Sequence, residues 1–555
     1  MRYTQLELQG QYHEIGPQVK GFASAGGAKR FQFDRFWEQT ERIARSRSIG
    51  RVLVVRREGF SVSAFAAVHE VADALRRLVD AGKEVWYVAA GYSAVDCVLA
   101  AACSHRILHS LGTLSFAGVS GTSPFFQKLL RDKRIGVEVI RRGRYKSAAD
   151  PFRTSKHDRY SREQLQALVD GAVEEMRRGL EGASEFSPTL IDEMLAGRIF
   201  TAPEALERGL VHRLATPGDL VREWKREKVR VASAPKAKGH VGRGKRVAVL
   251  VFEGAVVDGE SRRDPMVGQA IGDVTMVKAI RALAADRRTR AVVFRINSPG
   301  GSATASENVL RELVALNEKK PVVVSMGPVA GSGGYWIATT GRRLFAHPST
   351  ITGSIGVIIM YFDLSRFLAH NGITLDRVAR GDSADLGSPL RPLTKAERAR
   401  VDDVVEQLYR EFLGRVATFR GTTSEEVHAL GEGRVWLGRD AQERNLVDEL
   451  GGLTDAINHA RELIGARRAR VSFGPKVKQS LVAQLIAART QASGGGALTT
   501  GALPAGASGA GLGTVSAPSA GSVEAAAALV AACRSLHGVP LFVDPLLVTM
   551  GLTGR

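Results

Sequence analysis

Nearly unbroken apolar runs punctuate the chain at RVLVVRREG (51–59), KEVWYVAAG (83–91), RAVVFRINS (290–298) and KPVVVSMGP (320–328). Valine is frequent in all four, and stretches with helical periodicity separate them. A strand with one wet face alternates polar and apolar residues, whereas a uniformly apolar strand is covered on both faces, as parallel strands between helix layers are. YSREQLQALVDGAVEEMRRGLE and TKAERARVDDVVEQLYREFLGRV predict a long helix late in each half. The pattern therefore predicts an α/β fold built from layered β-α-β units with largely parallel strands.

That unit occurs twice. GRIFTAPEALERGLV (197–211) and GRVWLGRDAQERNLV (433–447) lie 236 positions apart and share seven of fifteen residues. Residues 51–59 correspond to 290–298, 83–91 to 320–328, and GTLSFAGVSG to STITGSIGVI. The chain divides on this basis into an N-terminal extension (1–45), a first repeat (46–230), a linker of Pro/Gly/Lys composition (231–245), a second repeat (246–470) and a C-terminal tail (471–555). Beyond about residue 490 the tail is rich in Gly, Ala and Ser, which bury too little apolar surface to order it, and it closes on a short apolar end.

Composition adds three constraints. The formal net charge is +20, spread along the chain in runs such as RRGRYK, REWKREKVR and GARRAR. A general positive potential suits acidic partners or peripheral association with an anionic membrane surface better than a dedicated nucleic-acid site. Cys97, Cys103 and Cys533 are too few and too irregular for a disulfide framework or a metal set, which points to a reducing compartment. The start, MRYTQLELQGQYHEIG, lacks the basic-then-apolar pattern of a signal peptide, and no window reaches the ~18 apolar residues of a membrane span. A cytoplasmic protein is expected.

Candidate chemistry concentrates in MGPVAGSGGYWIATTG (326–341), where Ser332 stands among glycines between an apolar strand and a helix. Helix starts expose free amides, so the Gly333 N–H can meet negative charge developing on an attacked carbonyl. A second donor can come from INSPGGSA (296–303), where Gly300 and Gly301 let backbone approach a substrate closely. The first repeat has RREGFSVS and AVDCVLA at these two places, without the PGG and without the serine. Taken singly, GSGG fits tight helix packing and PGG fits an ordinary turn. Their joint presence in one repeat and joint absence from the other favours a nucleophile with its oxyanion loop. A serine hydroxyl also needs a base, and no His, Lys or carboxylate lies within nine residues of Ser332.

NSPGGS, SMGPVAGSGGYW and TITGSIGV, taken with RRGRYKSAADPF (141–152) in the first repeat, resemble signal peptide peptidase A. That family comprises serine peptidases with a Ser/Lys dyad on the fold shared with Clp protease and crotonase. The resemblance covers about residues 46 to 465 and is to the long, tandem-repeat form. It implies Ser332 as nucleophile, Lys146 as general base and Ser354 as a second hydroxyl holding the amine. Gly333 with Gly300 or Gly301 would form the oxyanion hole. The family's dyad needs no metal or organic cofactor. The expected substrates are hydrophobic or small-residue peptides such as remnant signal peptides, and the expected assembly is a homo-oligomeric ring or dome.

VARGDSADLG in the second repeat places Ala384 opposite Lys146, so each half keeps one member of the dyad. A lysine of ordinary pKa is neutral to less than about one part in a thousand at pH 7, so the site must lower it by roughly 2 to 3 units. Tyr145, Ala148, Ala149, Pro151 and Phe152 are placed to desolvate it. Arg142 and Arg144 would add repulsion if they turned inward, and Asp150 would oppose both. Three features depart from the family: no N-terminal anchor pattern, the tail, and a first-repeat AGYSAVDC poor in glycine and aromatic residues. Two other readings stay open, an inactive repeat scaffold or membrane-surface adaptor and a crotonase-like acyl-CoA enzyme. The latter usually needs a positioned carboxylate, and none stands out near either glycine loop.

Overall fold

The computed structural model describes residues 1–15, 30–116, 118–181, 186–238, 240–241, 243–264 and 268–474. The expected tail, with Cys533, lies outside the described residues beyond Gly474.

Two parallel sheets carry the apolar runs. The first has the strand order Arg213–Leu214, His105–Leu108, Glu84–Ala89, Ile49–Arg56, Arg2–Leu8, Arg230–Val231. The second runs Glu449–Leu450, Arg343–Ala346, Val322–Gly331, Thr289–Ser298, Arg243–Glu253, Ala469–Gly474, with His240–Val241 antiparallel at its edge. Apart from that edge strand the two orders correspond one to one. Val52, Leu53 and Val54 are all fully buried, as are Val292, Val293 and Phe294, so successive side chains on opposite faces are both covered. The mixed α/β architecture of two repeats is the one the apolar runs predicted.

The repeat boundaries differ from those predicted. Arg2–Leu8 pairs with Ile49–Arg56 along its whole length, and it is the counterpart of Arg243–Glu253. The first repeat therefore begins within the segment taken as an extension, where the polar residues of RYTQLEL conceal a half-buried strand. Arg230–Val231 closes the first sheet and Arg243–Glu253 opens the second, so the connection between sheets is shorter than 231–245.

The repeats meet in a shared apolar cluster, beside which the second keeps a cluster largely of its own. Helix Leu453–Leu463 of the second packs its Leu453, Ala456, Ile457 and Ala460 into the apolar cluster that holds Phe33, Trp37, Val68 and Leu75 of the first. Trp37 Nε1 donates to Thr454 Oγ1 across the boundary at 2.8 Å. Beside this contact Arg295, fully buried in its strand, makes a bidentate pair with Glu14 (2.8 and 3.1 Å) and donates to Glu70 Oε1 at 2.7 Å. One guanidinium thus serves two carboxylates. Burial pushes Glu14 up to about 7 although Arg295 opposes the shift, and Glu70 adds to it.

A second junction is a two-stranded antiparallel sheet with one strand from each repeat. Gly136–Arg142 pairs with Val357–Asp363, from Val357 opposite Arg142 to Asp363 opposite Gly136. Its underside covers a small cluster that includes Ala148, Ala149, Ile358 and Met360. Among the described residues no helix is long and apolar enough to cross a membrane. Cys97 and Cys103 are free and buried.

Candidate active site

Ser332 sits at the turn between strand Val322–Gly331 and helix Gly333–Ala338, with φ 53° and ψ −120°. This backbone is costly for a residue with a Cβ, on the order of 1–3 kcal/mol, and persists only when its surroundings over-determine it. They do. Ser332 N donates to Gly353 O at 2.9 Å, and Trp336 N donates to Ser332 O at 2.9 Å. Downstream, Tyr335 Oη donates to Leu446 O at 2.8 Å, and the Trp336 ring packs 4.7 Å from that of Phe412. The turn re-aims the side chain away from the sheet's pleat and holds it there.

The glycine loop lies against the same turn. Gly300 and Gly301 have φ of 101° and 154°. A Cβ on Gly300 would come 2.9 Å from Ser332 Cβ and 2.8 Å from Gly333 N, so only glycine allows the approach. Backbone bonds to Val256 fix the loop: Val256 N donates to Gly300 O, and Ser302 N to Val256 O, both at 2.9 Å. The Gly300 amide donates to Ser298 Oγ at 3.2 Å. Those of Gly301 and Gly333 make no hydrogen bond among the described residues. The two residues lie close together, since a Cβ on Gly333 would lie 3.3 Å from Gly301 N. Of the two loop glycines expected as donors, Gly301 has the available amide.

Lys146 reaches this place from the first repeat, four residues after the Gly136–Arg142 strand ends. Its Nζ lies 2.9 Å from Ser332 Oγ, and donates to Ser354 O and Ser354 Oγ, each at 2.8 Å. Lys146, Ser332 and Ser354 are all 0% exposed. Ser354 also has positive φ, 54°, and is pinned by its N–H to Arg434 O at 2.7 Å. The structure thus brings together all the predicted site residues, Ser332, Lys146, Ser354, Gly333, Gly300 and Gly301.

The surroundings of Lys146 match expectation only in part. Ala148, Ala149 and Pro151 are buried beside it. The two arginines turn away: Arg142 forms ion pairs with Asp402 (2.7 Å) and Glu406 (2.6 Å), and Arg144 with Glu432 (2.5 Å). Asp150 is occupied by Arg141 and Arg153, each at 3.1 Å. Lys146 itself is fully buried, and Arg141 donates to its carbonyl at 2.8 Å. Ala384, its counterpart, is exposed in the loop before helix Lys395–Arg420.

Sequence reasoning missed the segment that seats the lysine. Tyr145 N donates to Glu432 O at 2.8 Å, and Gly433 (φ 79°) packs on the Lys146 backbone. Gly433 opens the repeated GRVWLGRDAQERNLV stretch, so its conspicuous position was legible while its contact was not.

Peptidase family S49 matches residues 77–231 and 314–467, one segment in each repeat. The chain belongs to peptidase family S49. Lys146 falls in the first matched segment of this S49 chain and Ser332 in the second. Protease 4 of Haemophilus influenzae is 31% identical over 443 residues, covering 75% of this chain and 70% of the relative. Protease 4 of Salmonella typhi is 31% identical over 444 residues, covering 76% and 70%. Serine protease SPPA, chloroplastic, of Arabidopsis thaliana is 29% identical over 366 residues, covering 62% and 53%. As a member of S49 the chain is a serine peptidase, a hydrolase of peptide bonds.

Proposed function

We propose that Ser332 is the nucleophile and Lys146 the general base of a Ser/Lys dyad that cleaves hydrophobic or small-residue peptides such as remnant signal peptides. The observation that carries this reading is the 2.9 Å approach of Lys146 Nζ to Ser332 Oγ inside a fully buried site. A neutral amine has two N–H bonds and one lone pair. With the N–H bonds given to Ser354 O and Ser354 Oγ, the lone pair is left for the Ser332 hydroxyl. Burial penalises an ammonium and so favours the neutral form that a base must have.

The reaction follows from these placements. Lys146 takes the Ser332 proton as Oγ attacks the peptide carbonyl, and the amides of Gly301 and Gly333 stabilise the oxyanion. The lysinium returns the proton to the leaving amine. Lys146 then deprotonates the water that releases the acyl group from Ser332. Assembly into a homo-oligomeric ring or dome belongs to the same reading, and light scattering on the eluting full chain checks it.

Ser332→Ala and Lys146→Ala, assayed separately on a hydrophobic peptide, test the dyad. Each is expected to lower kcat/KM by roughly 10³-fold or more. A peptidyl phosphonate should label Ser332 in the native chain and fail in Lys146→Ala. Substantial activity in either variant rules the dyad out.

A further inference from the structure

The second sheet has a predominantly basic edge opposite its glycine loops. Because its main strands are parallel, their entry ends lie together, and Ser298–Gly301 and Gly331–Ser332 lie together at the exit ends. Nearly every entry carries a basic cluster: GARRAR (465–470), GKR (244–246), DRRTR (286–290), EKK (318–320) and GRR (341–343). Parallel topology turns five short sequence features into one cationic face.

Two adjoining cavities open on that face. One, of about 1020 Å³, lies where the repeats meet, between Arg42 of helix Phe33–Ala44, its capping residue Arg45, and Lys238, Lys245, Arg468 and Arg470. The other, of about 650 Å³, shares Lys245 and adds Arg287, Arg290, Lys319 and Lys320. Neither wall contains a carboxylate, nor a Phe, Tyr or Trp, among the described residues. Arg42 and Arg45 have Glu38 and Glu41 as partners, at 2.8 and 3.2 Å. Lys245, Arg468 and Arg470 have no ion-pair partner among the described residues, and Arg470 Nε is buried without a hydrogen bond.

The cations act on one another. Burial, then repulsion by Arg470 and Arg288, lowers the pKa of Arg246; burial, then repulsion by Arg246 and Arg290, lowers that of Lys320. Asp286 pairs with Arg246, as Glu38 and Glu41 do with Arg42 and Arg45, so acids on this face are outnumbered. Residues 475–555 hold Lys476, Lys478, Arg489, Arg534 and Arg555 against only Glu524 and Asp544. Concentrated positive potential with rotatable, partly desolvated donors is what phosphate oxygens bind.

We infer that the strand-entry edge of the second sheet is a binding site for a phosphate-bearing polyanion, seated in the cavity between helix Phe33–Ala44 and the Arg468–Arg470 strand start. Such a ligand braces the two repeats from the side away from Ser332, so binding is independent of the dyad. The absence of aromatic platforms favours phosphate over exposed nucleobases. The phosphates come either from a soluble polyphosphate or from anionic lipid headgroups.

The test uses the full chain carrying Ser332→Ala, inorganic tripolyphosphate followed by calorimetry, and sedimentation with phosphatidylcholine vesicles with and without phosphatidylglycerol. Lys245→Glu with Arg468→Glu removes two exposed cations of the site. Lys128→Glu with Lys133→Glu makes the same net-charge change on a distant exposed segment, and thermal unfolding checks that both variants fold. The expected result is salt-sensitive binding that the first pair weakens by about tenfold or more and the second by less than about twofold. Binding of tripolyphosphate identifies a soluble source; binding confined to phosphatidylglycerol vesicles identifies a headgroup. No binding to either, or equal loss in both variants, overturns the inference. Tighter binding to duplex DNA, lost with the first pair, also overturns it and reassigns the face to nucleic acid.

Discussion

Gly433 of the second repeat lies so close to Lys146 of the first that a Cβ added to it would stand 2.6 Å from the lysine's backbone nitrogen and 2.7 Å from its Cβ. Lys146 is thus seated on a residue 287 positions further along the chain (433 minus 146). Gly433→Ala has to displace that backbone and also strains a residue at φ 79°. A shift of ~1 Å at a reacting group is enough to cost about 10²-fold in rate. We expect such a loss in kcat with unfolding behaviour close to native, and steady-state kinetics beside a melting curve check it.

Ser354 offers Lys146 two oxygen contacts, its carbonyl and its hydroxyl, and removal of the hydroxyl takes one of them away. The amine then has one N–H without its oriented acceptor and can rotate. Ser354→Ala and Ser354→Gly are both expected to lower kcat by roughly 10- to 100-fold with little change in KM. The pair separates two causes, because glycine suits the 54° φ of this position and alanine does not. Recovery of activity in the glycine variant would assign the effect to backbone strain instead of the hydroxyl.

Arg295 is the counter-charge for both Glu14 and Glu70, and all three are buried. Arg295→Met would leave two carboxylates facing each other in a dry site. Breaking a buried pair from one side costs about 3–5 kcal/mol. Urea unfolding should register a loss of that size, and a loss under about 1 kcal/mol would contradict the role assigned to this residue.

Two buried groups give stability opposing dependences on pH. His69 stacks on His347 with ring centroids 4.8 Å apart, one ring from each repeat. Burial lowers His69 from 6.5 to about 4, with Glu175 opposing and Arg76 assisting. Burial, then His69, Arg295 and Arg439, also lowers His347. Between pH 6.5 and about 4 the unfolded chain binds the His69 proton and the folded chain does not, so stability falls as pH falls through that window. The drop is about 3.5 kcal/mol, at ~1.4 kcal/mol for each pH unit between 6.5 and about 4. Glu14 is raised from 4.5 to about 7, so the folded chain holds its proton longer, and stability falls as pH rises from 4.5 to 7. Unfolding free energies across pH 4 to 8 should show a shallower acid-side loss in His69→Phe and a flatter neutral side in Glu14→Gln. Identical profiles for all three proteins would refute both assignments.

Much of the fold was readable in the chain because buried parallel strands leave an unambiguous mark. VVFRIN and VVVSM have no polar face to hide, and a repeat separated by 236 positions shows itself without any structure. Arg2–Leu8 was not read, since its Thr4 and Gln5 resemble an exposed segment while Tyr3, Leu6 and Leu8 go into the core. Arg295 passed unremarked as one charge within an apolar strand. Nothing local named Glu14 or Glu70, because a partner 281 residues away leaves no trace in spacing. Within the site the serine and its glycines were readable as one strand–turn–helix. Arg142 and Arg144, in the lysine motif, turned out to serve Asp402, Glu406 and Glu432.

By itself the sequence determined parallel-stranded α/β units in two repeats, a lone serine at a strand–helix turn in one repeat, a lysine in the other, and basic runs spread along the chain. These follow from local hydrophobic pattern and backbone chemistry, which act over a few residues. Tertiary structure alone decided that the two repeats join through Gly136–Arg142 against Val357–Asp363, which carries Lys146 to within 2.9 Å of Ser332. It alone gathered the strand starts onto one face. The reason is that strand register and sheet order are fixed by packing between segments hundreds of residues apart.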